Sequence, residues 1–246
     1  MMIITADDYG KTRHATDSIL KCFTSKRITS ASAMVFMEDS ERAASLAFKT
    51  SLEVGLHLNF TEPFSTSNIP LTLLEHQNGI VSYLAGNKFN QVIYNPFLTD
   101  SFKLLFRAQQ EEFLRLYGML PDFYNGHHHM HLCANMLASN IIPKGTRVRR
   151  TFTFDRGEKN FFNLLYRNIL DIWISRRFIS TDYFFSIDPV QNIERLQEII
   201  NRAARKTVEL EVHPGNAEEM DFLLSDQYLN LVKPFHRSGF RYLHNN

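Results

Sequence analysis

Met2-Ile3-Ile4-Thr5-Ala6-Asp7-Asp8-Tyr9-Gly10 is a short apolar run that breaks into two acids and a glycine. Such a run reads as a buried strand leaving a sheet through a polar turn. Outward from it, a helix is expected from about Thr12 to Thr24, a strand over 28–36, a helix over 40–48 and a strand over 53–60. Strands and helices alternating at this spacing are parallel crossover units, so the class is α/β.

The rhythm breaks over 61–97, where Pro63, Pro70, Asn78, Gly79, Gly86 and Asn95 interrupt each periodic pattern. This stretch is expected to be an irregular insertion, either a lid or substrate wall or a solvated loop. Beyond it the pattern predicts helices over 98–117, 132–140, 193–204 and 218–232. Strands are predicted over 122–126, 146–154, near Tyr183, over 207–212 and over 240–244. Seven or eight mostly parallel strands with intervening helices, and no Gly-x-Gly-x-x-Gly loop, fit a variant (β/α) barrel better than an open dinucleotide-binding sheet. The chain of 246 residues reads as a single domain, 1–246.

Composition narrows the function. Hydrophobic residues make up 44% and charged residues 22%, which argues against disorder and low complexity. Lys plus Arg number 27 against 26 Asp plus Glu, so no global field favours nucleic acid. Cys22 and Cys133 supply neither a disulfide framework nor a zinc-ribbon spacing. The apolar run before Asp7 is short for a signal peptide and no stretch is long enough for a membrane span, so a cytoplasmic protein is expected.

Acids and histidines collect at predicted strand ends, the catalytic face of such a barrel. They are Asp7-Asp8, the segment Gly55-Leu56-His57-Leu58-Asn59, the run Gly126-His127-His128-His129-Met130-His131, and Glu209-Leu210-Glu211-Val212-His213-Pro214-Gly215. If the histidine run is a strand, His127, His129 and His131 share a face with metal-ligand spacing, although a polar loop is the other reading. With Leu56 and Leu58 facing outer helices, His57 points inward, as a ligand or as a hydrogen-bonded core residue. Asp7 and Asp8 suit a plain polar turn, or one acid on a cation with the other free as a base. One Asp and two His match a catalytic divalent site, which lowers the pKa of bound water from ~15.7 towards ~7. His213 could donate a proton to a leaving amine, or merely occupy a turn.

These segments, with Ile28 to Val35, Phe60-Thr61-Glu62 and Val148-Arg149, resemble in order and spacing the YdjC-like carbohydrate deacetylase family over most of the chain. The resemblance implies a barrel of the glycoside hydrolase/deacetylase type and a divalent metal ion, Mg2+ or Zn2+. It also implies removal of acetyl groups from N-acetylated sugars such as chitooligosaccharides. By motif it implies Asp8, His57 and His127 as metal ligands, Asp7 as catalytic base and His213 as general acid, with His129, His131 and Arg149 lining the substrate site. Departures are Tyr9 for the family's usual Phe, Asn125 where the family commonly has an acid that could orient a histidine ligand, and no proline just past the histidine run.

The stretch 161–178 reads as an aromatic-rich amphipathic helix in which Arg167 and Asp171 exclude an ordinary membrane span. It would pack on the barrel, form a homodimer face, or receive a lipid-linked or hydrophobic acetamide. The favoured reading is a metal-dependent sugar N-deacetylase. The alternatives are a same-barrel hydrolase of an ester or glycosidic bond, and an inactive carbohydrate-binding protein.

Overall fold

The computed structural model describes residues 1–155, 157–187 and 192–244. Its first half runs β1 (Met2–Tyr9), α1 (Arg13–Thr24), β2 (Ser30–Ala33), α2 (Ser40–Ala47), β3 (Glu53–Leu58), α3 (Leu71–Gly86), α4 (Thr99–Tyr117) and β4 (Tyr124–Gly126). The second runs α5 (Ala134–Ala138), α6 (Phe161–Arg177), β5 (Tyr183–Ser186), α7 (Ile193–Asn201), β6 (Val208–Val212), α8 (Ala217–Leu224) and α9 (Asp226–Val232).

The six strands form one sheet in the order β4-β3-β2-β1-β6-β5, and each neighbouring pair is parallel. The sheet curls into a barrel because the segment predicted as a strand over 146–154 lies between its two edges. Arg149 N–H donates to Tyr124 O (3.0 Å) on the β4 side, and Thr153 N–H donates to Phe184 O (2.8 Å) on the β5 side. Only isolated bridges form there, so this connection closes the barrel without being a regular strand.

Parallel strands covered by helices are apolar outward, and this one is. Ile4, Ala6, Ala31, Ala33, Val54, Leu56, Leu58, Leu210 and Val212 are buried in the main core that the helices cover. The register places Thr5, Ser30, Glu53, His57, Asn125, Glu209 and Glu211 on the other face, inside the barrel. At its lower end Ile3, Phe123, Phe240 and Leu243 form a small separate core, with the rings of Phe123 and Phe240 stacked at 4.1 Å. The expected strand over 240–244 is instead a short helical turn, Phe240–Tyr242, that plugs this end.

The stretch 61–97 contains the 16-residue helix α3, whose buried face is Leu73, Gln77 and Ile80 at spacings of four and three. A buried amide in that stripe, followed by Asn78-Gly79, hid the period. Gln77 is inside because it holds the preceding loop: its side chain accepts from Phe64 N (3.1 Å) and donates to Glu62 O (2.8 Å). The helix expected over 218–232 is two helices, separated at Ser225, whose hydroxyl accepts from Tyr228 N and caps the second. Both cysteines are free and buried. Among the described residues, no helix is long and apolar enough to cross a membrane.

Candidate active site

Successive side chains on a regular strand face opposite ways, so Asp7 and Asp8 could not both enter the barrel. The register between β1 and β2 shifts between Ala6 and Tyr9, and Asp8 sits at φ 70°, a left-handed conformation rare for a residue with a side chain. This irregularity turns both acids to the site. Such strain persists where surrounding structure holds it, and here it places a carboxylate.

Asp8, His57 and His127 converge as expected. Asp8 Oδ1 lies 3.6 Å from His57 Nε2 and 3.2 Å from His127 Nδ1, and the two nitrogens are 3.4 Å apart. The outer nitrogens decide the tautomers. His57 Nδ1 is 2.8 Å from Asn125 Oδ1, a pure acceptor when the amide nitrogen donates to Asp7 (3.2 Å) and Ser32 (3.1 Å). His127 Nε2 is 2.9 Å from Glu62 Oε1, another acceptor. Each ring therefore carries its proton outward, leaving two nitrogen lone pairs and a carboxylate oxygen facing one point. Asp8 Oδ1 is buried and makes no hydrogen bond. Three donor atoms in this arrangement can hold a cation between them. Asp8, His57 and His127 thus fit a divalent ion.

Their titration reflects the same crowding. Burial alone would raise the Asp8 carboxyl, yet the imidazoles and Lys11 bring it down to about 2. Burial depresses His57. Burial acts likewise on His127, but the carboxylates of Asp8 and Glu62 prevail and raise it.

Asn125, the departure from the family pattern, does the orienting work with a neutral oxygen. Glu62, quoted only as part of a motif, is the His127 partner that sequence reasoning missed. Asn59 gives the signal for it, since its side-chain oxygen accepts from Glu62 N (2.9 Å) and its amide donates to Glu62 O (2.9 Å), fixing the turn.

The histidine run is not a strand. It forms a tight turn in which His128 and His129 have φ 51° and 60°, so His127, His129 and His131 do not share a face. Gly126 permits it: a Cβ there would lie 2.8 Å from His131 N. His129 packs on Phe152 and sits 3.8 Å from Glu211. His131 is fully buried, its Nε2 donates to Arg149 O (3.0 Å), and burial pushes its pKa down to about 3. Arg149 is also fully buried. The expected substrate contact from these two gives way to support from beneath, because neither exposes any surface.

Arg149 grips Asp7 with Nη1–Oδ2 at 2.5 Å and Nη2–Oδ1 at 2.9 Å, and also meets Glu209 (2.7 Å) and Glu211 (3.1 Å). Ser32 Oγ adds a bond to Asp7 Oδ1 at 2.7 Å. Burial would raise Asp7, but Arg149 and His57 hold it well below the usual carboxylate range. Burial raises Glu211 well above that range, with Arg149 opposing it. Asp7, Glu211 and His213 each offer an atom within 4.8 Å of the others. Burial would lower His213, yet Glu219, Asp7 and Glu211 raise it to about 9.

A family model described as YdjC-like protein matches residues 1–234. A carbohydrate deacetylase of Oceanobacillus iheyensis is 34% identical over 227 residues, covering 92% of this chain and 90% of its own. A carbohydrate deacetylase of Clostridium beijerinckii is 27% identical over 223 residues, covering 87% and 81%. A chitooligosaccharide deacetylase of Proteus mirabilis is 31% identical over 133 residues, 54% of this chain and only 50% of the relative. A solved structure from Enterococcus faecalis V583, described as a proposed cellobiose-phosphate cleavage protein, superposes with a TM-score of 0.67 over 97% of both chains. At 16% identity it shares the fold.

Proposed function

The chain belongs to the YdjC-like family, and from that premise we propose that it is a metal-dependent hydrolase removing acetyl groups from N-acetylated sugars. The observation carrying this reading is the meeting of three ligand atoms, from Asp8, His57 and His127, within 3.6 Å of one another and beside the Arg149-bound carboxylate of Asp7. Two imidazole nitrogens and one carboxylate oxygen suit zinc better than magnesium, which prefers an all-oxygen shell. Such an ion supplies Lewis acidity, acidifying water and polarising an amide carbonyl.

The chain's own groups move the protons. Asp7 is the proposed acceptor for the proton of the attacking water, and Arg149 fixes its orientation while keeping it ionised. So weak a base serves only where the water is itself made acidic, which ties its role to the neighbouring ligand set. Attack on the acetamide carbon forms the C–O bond, and breakage of the C–N bond then requires a proton on nitrogen. His213, protonated at neutral pH, is the proposed donor. The products are acetate and a free amino sugar. The carbohydrate deacetylase names of the relatives support this substrate class.

Acetate release from N-acetylated oligosaccharides, with and without zinc restored to chelated protein, tests the reading. Metal-dependent acetate is expected. Stoichiometric metal with no acetate from any acetylated sugar would turn the assignment toward another hydrolysed bond or a binding protein.

A further inference from the structure

A cavity of about 610 Å³ is lined in part by His128 and His129, and the His128 ring packs on that of the candidate ligand His127 with centroids 4.0 Å apart. Its walls are Phe89, Val92, Phe152, Phe162, Tyr166 and Leu170, drawn from the segment after α3, the barrel-closing segment and α6. The histidine turn links the cavity to the site, since His129 also lies 3.8 Å from Glu211, a neighbour of Asp7.

The α6 wall is unusual. Of its 17 residues only Ile174 is buried, although the helix is rich in Phe, Leu, Ile, Tyr and Trp. Phe162 and Phe89, which both line the cavity, are 79% and 56% exposed. Polar side chains line it as well, and several are engaged within the protein: Arg150 binds Asp171 (2.6 Å), Thr151 donates to Asp171 (2.9 Å), Arg167 donates to Asn163 Oδ1 (2.8 Å), Gln91 donates to Lys88 O (3.1 Å), and the Lys88 ammonium lies over the Phe89 ring. Facing the open space are mainly rings and aliphatic side chains, which offer a further sugar few hydrogen bonds but suit a hydrocarbon chain.

We propose that this cavity is an aglycone site, so that the acetamido sugar processed here is joined to an apolar chain. The inference rests on the deacetylase reading for the sugar, while the cavity supplies the chain. In the bound state the sugar lies over Asp7 and the ligand triad, and the chain runs past His128 and His129 between Phe89 and α6. Burying even two methylene groups corresponds to about tenfold in affinity.

The test compares methyl and dodecyl 2-acetamido-2-deoxyglucosides, the latter below its micelle concentration, with N,N′-diacetylchitobiose as the sugar-extended control. The expected result is a KM at least about tenfold lower for the dodecyl glycoside than for the other two. That ratio should collapse toward unity in Phe162→Ser/Tyr166→Ser, whose folding is checked by its melting curve. Equal KM values, an equal gain for the chitobiose, or a ratio unchanged in the double variant would overturn the proposal. A chain that is dimeric in solution and becomes monomeric in the variant with the ratio unaltered would overturn it too, by assigning this face to a second copy. Equilibrium binding of both glycosides separates the two readings. If neither is hydrolysed but the dodecyl preference persists and is lost in the variant, the cavity inference stands and the deacetylase reading fails; binding without chain preference sinks the cavity inference.

Discussion

Asp7 and Asp8 are adjacent and chemically identical, and their environments make them different. Arg149 orients one, leaving lone-pair capacity on its Oδ2, while the other presents a bare oxygen to two imidazoles. Asp7→Asn should retain the cation and lose about 10²–10⁴-fold in turnover, as measured by metal content beside acetate release. Asn125→Leu removes the acceptor on His57 Nδ1 and should weaken zinc affinity about 10–100-fold by titration. For His213, activity should fall as pH rises past about 9, where the imidazolium loses its proton. Glu219→Gln removes one of the charges that raise it, so that basic limb should move to lower pH; an unmoved limb would assign the proton to another group. That Asp8, His57 and His127 meet was legible only through the ordered motifs shared with the YdjC-like family, since the residues alone also fit a polar turn and a hydrogen-bonded core histidine. The β1 irregularity that aims both acids inward was not, since no residue type at Asp8 announces a positive φ.

Elements were legible where burial is one-sided and apolar, as in β1, α1 and β3. They failed where buried polar groups carry the packing. α3 is masked by Gln77, which is buried because it holds the Glu62 loop, and the segment over 146–154 reads as a strand although its apolar residues bridge two edges without a regular ladder. The turn after β4 is the element on which His127 depends. Gly126→Ala would force a Cβ toward His131 N and push the turn away from Glu62. Reduced zinc affinity with a lowered melting temperature is expected; a variant matching wild type in both would show that the turn tolerates the side chain.

Across the whole molecule the barrel interior is divided, with an ionic network above and a small apolar plug below. Glu53 lies between sheet and C-terminal segment, where burial, opposed by the Arg241 N–H, raises its carboxyl to about 7. The folded state therefore holds a proton that the unfolded chain releases near pH 4.5. Stability from this group is full below that pH and is lost as pH rises to about 7, a change of about 3 kcal/mol. Glu53→Gln should be most stabilising, relative to wild type, at pH 8 and least at pH 5, as read by chemical denaturation. At this scale the α/β barrel followed from strand and helix alternation, whereas the plug by Phe240 did not, because a short apolar run does not distinguish a strand from a turn. Sharing of one cation by Asp8, His57 and His127 is read from calorimetric titration of chelated protein with zinc. One tight equivalent per chain is predicted, abolished in His57→Ala and in His127→Ala. No binding to the intact chain, or the same stoichiometry and affinity in both variants, would contradict it.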